Sequence, residues 1–421
     1  MSVSIPLSYG SIKSIIEHLD PNLRIQISER CPSLRTAEKS TPMAIQYLEM
    51  DRGSYRLNNL TYHLETTVDC EDEKFEVVDF DFGQIFYTDD FNQFGVANFA
   101  EHDIIEAGDI KIPVLGMGNY RSMRNAAEEA TRDRAEYMAE AQESNDVADV
   151  FSNVQYGLRF SVWENGTMIR EEKMEKEPKR IRHALSYLAD KLFAGRVGIS
   201  VCWLKIHENP GAYRLPLGFS LRIQKLEIEH NASAVLNAIA PIIDDRSFPL
   251  ERISIEGYSY IDIENYIHPH IENSKMVTFV KQEEAIDESP PPMHIEEAML
   301  ATQCKMVALH SSVGDFTDAM VRNIIDRLLT TSPPQKTHLR LQSKKPERIQ
   351  TTHRMLEAMH GDNSEQIGYY GCDQFPTGFI FQLDSSTKLV VYCLRYSERD
   401  MWNLHFNVVT NERYNDMKMR Q

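Results

Sequence analysis

Two stretches of the chain share a spacing that leaves a polypeptide few ways to fold. Val201-x-x-Leu204-x-Ile206-x-x-Asn209 and Ile223-x-x-Leu226-x-Ile228-x-x-Asn231 set three apolar residues and an asparagine at the same intervals. Leu250-x-x-Ile253-x-Ile255 repeats the apolar part, and shorter versions follow at Val277-x-Phe279, Val307-x-Leu309 and Leu339-x-Leu341. The central apolar positions are 204, 226, 253, 277, 307 and 339, with gaps of 22, 27, 24, 30 and 32 residues. Between them lie runs with helical spacing: Ala234–Ile243, Ile261–Ile271, Ile295–Ala301, Phe316–Leu329 and Ile349–Met359.

A strand this short shows two apolar residues to one side and is unstable alone. Stacking strand on strand and helix on helix makes one continuous core. The spacing is that of a leucine-rich repeat with a drifting period. The asparagine after each strand has free backbone groups of the turn within reach. An ordinary α/β sheet built of βα units is the alternative reading of the same pattern. Either way residues 199–341 are expected to form a stack of short parallel strands with intervening helices.

The flanks read differently. Residues 5–40 are expected to be a small module of three short helices. Ile12, Ile15, Ile16 and Leu19 share one helical face. Asp20-Pro21 is an N-cap followed by a first-turn proline. Leu23 and Ile27 continue an apolar face on the second helix, and Ser33 is placed to cap the third. Residues 41–195 form a β-rich segment, with Ile45 and Tyr47 alternating in a first strand and Phe75–Phe86 apolar and β-branched. Within it, residues 119–149 lack Gly and Pro, are rich in Ala, Glu and Arg, and predict a long exposed helix. Asn165-Gly166 marks a hairpin turn. Ile181, Leu185, Leu188 and Leu192 line one face of a helix that Gly195 stops. Residues 196–345 are the repeat-like region, interrupted by an acidic, triple-proline segment at 281–297 that is either a long loop between repeats or a linker. Residues 346–421 form a C-terminal helix and a β-hairpin cap, turning at Ser385-Ser386, with Trp402–Val409 as a further strand. The expected class is α+β: a helical module, a β-rich segment with a long charged helix, then a repeat-like αβ arc closed by a hairpin.

Composition narrows the function. Lys plus Arg is 45 and Asp plus Glu is 63, a net charge of −18. So acidic a surface repels phosphate backbones and anionic lipid, so neither nucleic acid nor membrane is an expected partner. The opening MSVSIPLSYG has neither a basic nor an apolar signal region. No stretch approaches the 18 or so apolar residues of a membrane span. The six cysteines are widely spaced without any Cys-x-x-Cys, which points to reduced thiols in the cytoplasm or nucleus. Gly116-x-Gly118 lacks the third glycine of a dinucleotide loop, and phosphate-loop and nucleophile-elbow motifs are absent. His268-Pro269-His270 has no third ligand nearby for zinc. His207 and His230 beside the repeat strands are expected to be structural. Tyr258, Tyr260 and Tyr266 after the third strand are candidates for a binding surface or for packing. No cofactor, no metal and no catalytic residue is expected; the chain reads as a binding protein.

Ile5-Pro6-Leu7-Ser8-Tyr9, Ile12, Ile15-Ile16, Leu19-Asp20-Pro21 and Arg30-Cys31-Pro32-Ser33-Leu34-Arg35 resemble the N-terminus of the nematode F-box C family. Ala107-Gly108-Asp109-Ile110, Leu192-Phe193-Ala194-Gly195-Arg196, Leu204-Lys205-Ile206, Arg214-Leu215-Pro216, Leu221-Arg222-Ile223 and Ser247-Phe248-Pro249-Leu250 resemble its F-box-associated domain. The likeness covers roughly residues 5–280. It implies a helical F-box that docks the adaptor Skp1 and a body that presents a protein substrate to a cullin-type ubiquitin ligase. Pro6, Leu7, Ile12, Ile15, Ile16, Leu19 and Leu23 match the apolar docking positions. The chain has Cys31-Pro32-Ser33-Leu34 where an F-box usually carries tryptophan, and Pro6-Leu7 in place of Leu-Pro. The competing class is a non-catalytic scaffold or recognition protein whose N-terminal helices only cap the fold.

Overall fold

The computed structural model describes residues 8–51, 53–70, 105–112, 129, 131–132, 154–174, 181–207, 212–229, 231–257, 267–281, 299, 304, 306–311, 316–331, 338–343, 345–360, 378–396 and 401–419. These residues form a mixed α/β structure in two compact units. The first holds the chain up to Ile223 together with Asn237–Asp245, and the second holds Gln224–Leu236 and Arg246 onward. Most of the long helix expected at 119–149, the strand at 75–86, the Pro-rich loop, His230 and the three tyrosines at 258, 260 and 266 lie outside the described residues. Among the described residues no helix is long and apolar enough to cross a membrane.

In the first unit, α1 (Tyr9–Glu17), α2 (Pro21–Arg30) and α3 (Arg35–Lys39) precede β1 (Met43–Asp51), β2 (Ser54–Leu57) and β3 (Leu60–Cys70). A two-residue strand β4 (Ile110–Lys111), the hairpin β5 (Val154–Glu164) and β6 (Thr167–Met174), helix α4 (Ile181–Phe193), β7 (Ile199–Ile206) and β8 (Ala212–Tyr213) follow. The strand order is β7-β1-β2-β3-β5-β6, with β4 and β8 forming a separate ribbon. β7 runs parallel to β1, and the other neighbours are antiparallel. Asn165 and Gly166 turn the β5–β6 hairpin with positive φ at both residues, as a tight two-residue hairpin turn requires. Helix α4 buries Ile181, Leu185, Leu188 and Leu192, the stripe expected from its spacing. Gly195 follows at φ +70 and ends it.

β1 corrects the alternation expected for it. The buried residues are Met43, Ile45, Leu48 and Met50, and Tyr47 is only half-buried. The phase shifts between Ile45 and Leu48. Asn58, at φ +55, accepts hydrogen bonds at Oδ1 from both Gln46 N (3.0 Å) and Tyr47 N (3.2 Å). Both N–H groups thus turn toward the Asn58 side chain, and the strand's alternation breaks there while its register with β7 runs on unshifted. Its parallel partner β7 buries Ile199, Val201, Leu204 and Ile206 with the same shift, in register Ile45↔Val201, Leu48↔Leu204 and Met50↔Ile206. β1 therefore carries the spacing read at Val201 and Ile223, as Ile45-x-x-Leu48-x-Met50.

The second unit takes most of β9 (Leu221–Glu229), then β10 (Arg252–Gly257), β11 (Val277–Lys281), β12 (Met306–Ser311) and β13 (His338–Ser343), all parallel neighbours. Leu226, Ile253, Val277, Val307 and Leu339 are successive register partners across these five strands, and each is buried. These are five of the six central positions picked out by spacing. Asn231 accepts a hydrogen bond at Oδ1 from Ala234 N (3.0 Å), satisfying a free donor at the start of α5 (Ala232–Ile239). After α6 (Pro269–Asn273) and α7 (Asp318–Thr331), helix α8 (Pro346–His360) leads to β14 (Phe379–Gln382), β15 (Thr387–Tyr396), β16 (Met401–Thr410) and α9 (Asn411–Met419). β16 pairs antiparallel with β13 and β15, and β14 pairs with β15. The C-terminal strands thus extend the edge of the parallel set. His353 of α8 meets Phe379 on one face, and Tyr414 of α9 packs on Val390 and Tyr392 on the other.

Candidate functional site

The N-terminal helices carry the residues that the sequence marks for docking. Ser8 caps α1 by accepting at Oγ from Ser11 N (3.1 Å), and Asp20 caps α2 by accepting from Asn22 N (2.8 Å) ahead of Pro21. Ser33 is not a cap: it sits inside a 3-10 turn, Pro32–Leu34, that runs into α3.

Helix α2 is rotated from the orientation expected. It buries Asn22, Arg24, Ile25 and Ser28 and leaves Leu23 at 44% exposure, with Ile27 half-buried. The cause is polar anchoring. Asn22 Nδ2 donates to Leu57 O (2.9 Å), and Tyr62 Oη donates to Asn22 Oδ1 (3.0 Å). Arg24 donates to Glu38 Oε1 (3.1 Å), Glu38 O (3.0 Å), Thr41 O (2.6 Å) and Pro42 O (2.6 Å). Glu38 also pairs with Arg196 just beyond α4, and Lys39 Nζ donates to Ala194 O (2.7 Å). Burial lowers the Arg24 pKa, an effect that the Glu38 carboxylate opposes. Once Arg24 and Asn22 face inward, helical geometry turns Leu23 outward.

Of the seven predicted docking residues, Pro6 and Leu7 lie outside the described residues. Ile15 is 49% exposed, and Ile12 and Leu19 are half-buried. Ile16 is the correction: at 3% exposure it belongs to the core, on the side of α1 that packs inward. Tyr9, 55% exposed, was missed. Its ring lies under Lys13 Nζ at 5.0 Å, and its hydroxyl is 3.3 Å from Ser40 Oγ. Its place one turn before Lys13 on the first turn of α1 was the available signal. Tyr9 and Ile15 on α1 and Leu23 on α2 thus expose large apolar side chains.

Other motifs singled out in the sequence meet in the first unit. Asp109 pairs with Arg214, both nearly closed to solvent, and Ile110 pairs with Tyr213 across the small ribbon. Tyr55 Oη donates to Arg214 O (2.6 Å), and burial pushes its pKa up. Gly108, at φ +104, lies against the Leu215–Leu217 backbone. These contacts close the fold. His207 Nε2 is 2.6 Å from Glu49 Oε1 in a half-exposed pair, and this bond pulls the Glu49 pKa down. His268 caps α6, its Nδ1 accepting from His270 N (3.2 Å). Among the described residues no group of three or more His, Cys, Asp or Glu side chains is placed to hold a metal ion.

Residues 180–345 match the model of a family described as a domain of unknown function (DUF3557). No curated protein and no solved structure matches the chain.

Proposed function

We propose that the chain is a substrate-receptor adaptor of a cullin-type ubiquitin ligase. In this reading the N-terminal helices dock a Skp1-like adaptor, and the repeat-like region holds a protein substrate. The observation that carries it is the exposure of Ile15 on α1 and of Leu23 on α2, the latter turned outward by the inward anchoring of Asn22 and Arg24. Helix-in-groove docking uses such spaced apolar anchors. The resemblance of residues 5–40 to the nematode F-box C family supplies the partner, and the row of Leu226, Ile253, Val277, Val307 and Leu339 supports a leucine-rich-repeat-like arc behind it.

A second reading has its own support. The pairing of Glu38 with Arg196 and of Lys39 with the Ala194 carbonyl fastens the helices to the end of α4, as a structural cap would. The chain is then a scaffold or recognition protein with no ligase role.

A binding titration with purified Skp1 separates the two. The intact chain should bind, and Ile15→Asp plus Leu23→Asp should fold with an unchanged melting curve and bind at least tenfold more weakly. Absence of binding by the intact chain overturns the adaptor reading, and so does undiminished binding by the folded double variant.

A further inference from the structure

One face of the second unit carries a closed polar cluster that the adaptor reading does not use. Strand alternation puts Arg340 and Gln342 of β13, Asn403 and His405 of β16 and Tyr392 of β15 on this face. The register sets Arg340 beside His405, Gln342 beside Asn403, and Tyr392 on the far side of His405. Asn403 is 1% exposed and His405 3%. Next to them Tyr414 packs on Val390 and Tyr392. Arg340, Gln342 and His338 keep part of their surface in solvent, which leaves an edge of the cluster within reach.

Two contacts inside the cluster occupy the His405 Nδ1 and Asn403 Oδ1 positions. His338 Nε2 and His405 Nδ1 are 2.8 Å apart, and Gln342 Nε2 donates to Asn403 Oδ1 (2.9 Å). The Tyr392 ring stacks on His405 at 4.9 Å with an interplanar angle of 3°. What remains without a partner is Arg340 Nε, Asn403 Nδ2 and His405 Nε2. The first two can only donate. The third donates when His405 Nδ1 accepts from His338 Nε2. Further along the same row, past Ala308, the Thr278 hydroxyl is also buried without a partner. Among the described residues no carboxylate pairs with the Arg340 guanidinium.

A closed face whose leftover atoms are donors lacks an acceptor. Water can fill one such position, but it leaves the guanidinium charge uncompensated. A cation is repelled by Arg340. We propose that this face binds an oxyanion, a carboxylate or phosphate group held by Arg340, with Asn403 and His405 as neutral donors. Charge-assisted bonds of this kind are shorter and stronger than neutral ones. Both imidazoles are held uncharged at neutral pH by burial and by the Arg340 charge, so the positive charge of the cluster is that of Arg340. A net charge of −18 repels anions at long range, and so recognition here depends on contact.

The test uses the full chain at pH 7.5, with sodium phosphate or sodium acetate titrated against sodium chloride at matched ionic strength. Calorimetry and melting temperature are the readouts. The native chain should bind one or both anions saturably and melt higher in their presence. A response to phosphate alone assigns a phosphorylated group, and a response to acetate alone a carboxylate. Arg340→Gln should weaken binding about tenfold or more while keeping any general salt effect. Asn403→Asp is the second variant. It retains the acceptor used by Gln342 and places a carboxylate diagonally across from Arg340 on the same face, so it should melt higher than the native chain without anion and lose the anion response. No saturable response by the native chain overturns the proposal. An undiminished response in Arg340→Gln also overturns it, as does an Asn403→Asp chain that melts lower and still responds. These outcomes are independent of Skp1 binding, which involves the other unit.

Discussion

Glu38 and Arg196 stand 158 residues apart in the chain and share one buried contact through Glu38 Oε1, the atom that also accepts from Arg24. One carboxylate thus faces two guanidiniums, and together they tie helices α2 and α3 to the end of α4. Glu38 Oε2 and Arg196 Nη2 have no partner, so the arrangement has little surplus to absorb a loss. Removing one member leaves uncompensated buried charge, which typically costs about 3–5 kcal/mol. Arg196→Ala should destabilise the chain by about that amount in urea unfolding, with faster amide exchange in α2 and α3. A change below about 1 kcal/mol would show that the pair is solvated.

The register row makes a sharp prediction about packing. Leu226 is enclosed between Ile253 and its own strand's buried face, whereas Lys225 next to it is half-buried and turned the other way. Leu226→Ala should cost about 2–5 kcal/mol, as buried leucine truncations do. Gln224→Ala, at an exposed position of the same strand, should stay within about 0.5 kcal/mol. Denaturant midpoints for the two variants check the contrast, and equal losses would remove Leu226 from the core.

Two glycines with positive φ should respond unequally. A Cβ on Gly108 would collide with the Leu215 carbonyl and the Pro216 backbone, which cannot move aside, while one on Gly166 meets nothing within 4 Å. Gly166→Ala should cost about 1 kcal/mol for backbone strain alone. Gly108→Ala should cost several times more and loosen the β4–β8 ribbon. Melting temperatures of the two variants rank them.

Stability should fall on acidification through the pair His338 and His405. Burial, with the nearby arginine charges, takes His338 from 6.5 to about 4, and burial with the neighbouring His338 and Arg340 takes His405 to about 3. Below pH 6.5 the unfolded chain binds protons that the folded chain refuses, so stability drops as pH falls from 6.5 toward the folded values and levels off beneath them. Between pH 7 and pH 5 each histidine should contribute a loss of about 2 kcal/mol. Urea unfolding across this range checks it. His405→Gln should flatten the slope, and an unchanged slope would assign the acid sensitivity elsewhere.

Much of the second unit was legible in the sequence because its interactions are periodic. Apolar residues at the centre of short β-branched runs, separated by helical runs, place Leu226, Ile253, Val277, Val307 and Leu339 in one row without any knowledge of their neighbours. The caps at Asp20 and Asn231 and the hairpin at Asn165-Gly166 were legible for a like reason, since each depends on a few adjacent residues.

The apolar face of the N-terminal helices was legible only in part. The spacing of Ile12, Ile15, Ile16 and Leu19 establishes an apolar side of α1, but the four span enough of the helix that some must face the protein and some the solvent. Which ones do so follows from where α1 packs. The orientation of α2 was misread because Leu23 and Ile27 are apolar and Arg24 is charged. An arginine turns inward only when distant groups receive it, and here those are Glu38 and the carbonyls of Thr41 and Pro42. The break in the alternation of β1 escaped for the same reason: the side chain that receives its Gln46 and Tyr47 N–H groups, Asn58, comes from across the β2 hairpin.

What the sequence determined by itself was therefore local and periodic: the elements, most of their boundaries, their caps and the apolar face each must bury. What only the tertiary structure decided was the rotation of α2, the closure around Arg24, Glu38 and Arg196, and the assembly of Arg340, Asn403 and His405 on one face. Apolar burial is non-directional, so its pattern can be read along a single chain. A buried charge or hydrogen-bonding group is stable only opposite a partner of the right geometry, and that partner is supplied by residues far away in sequence.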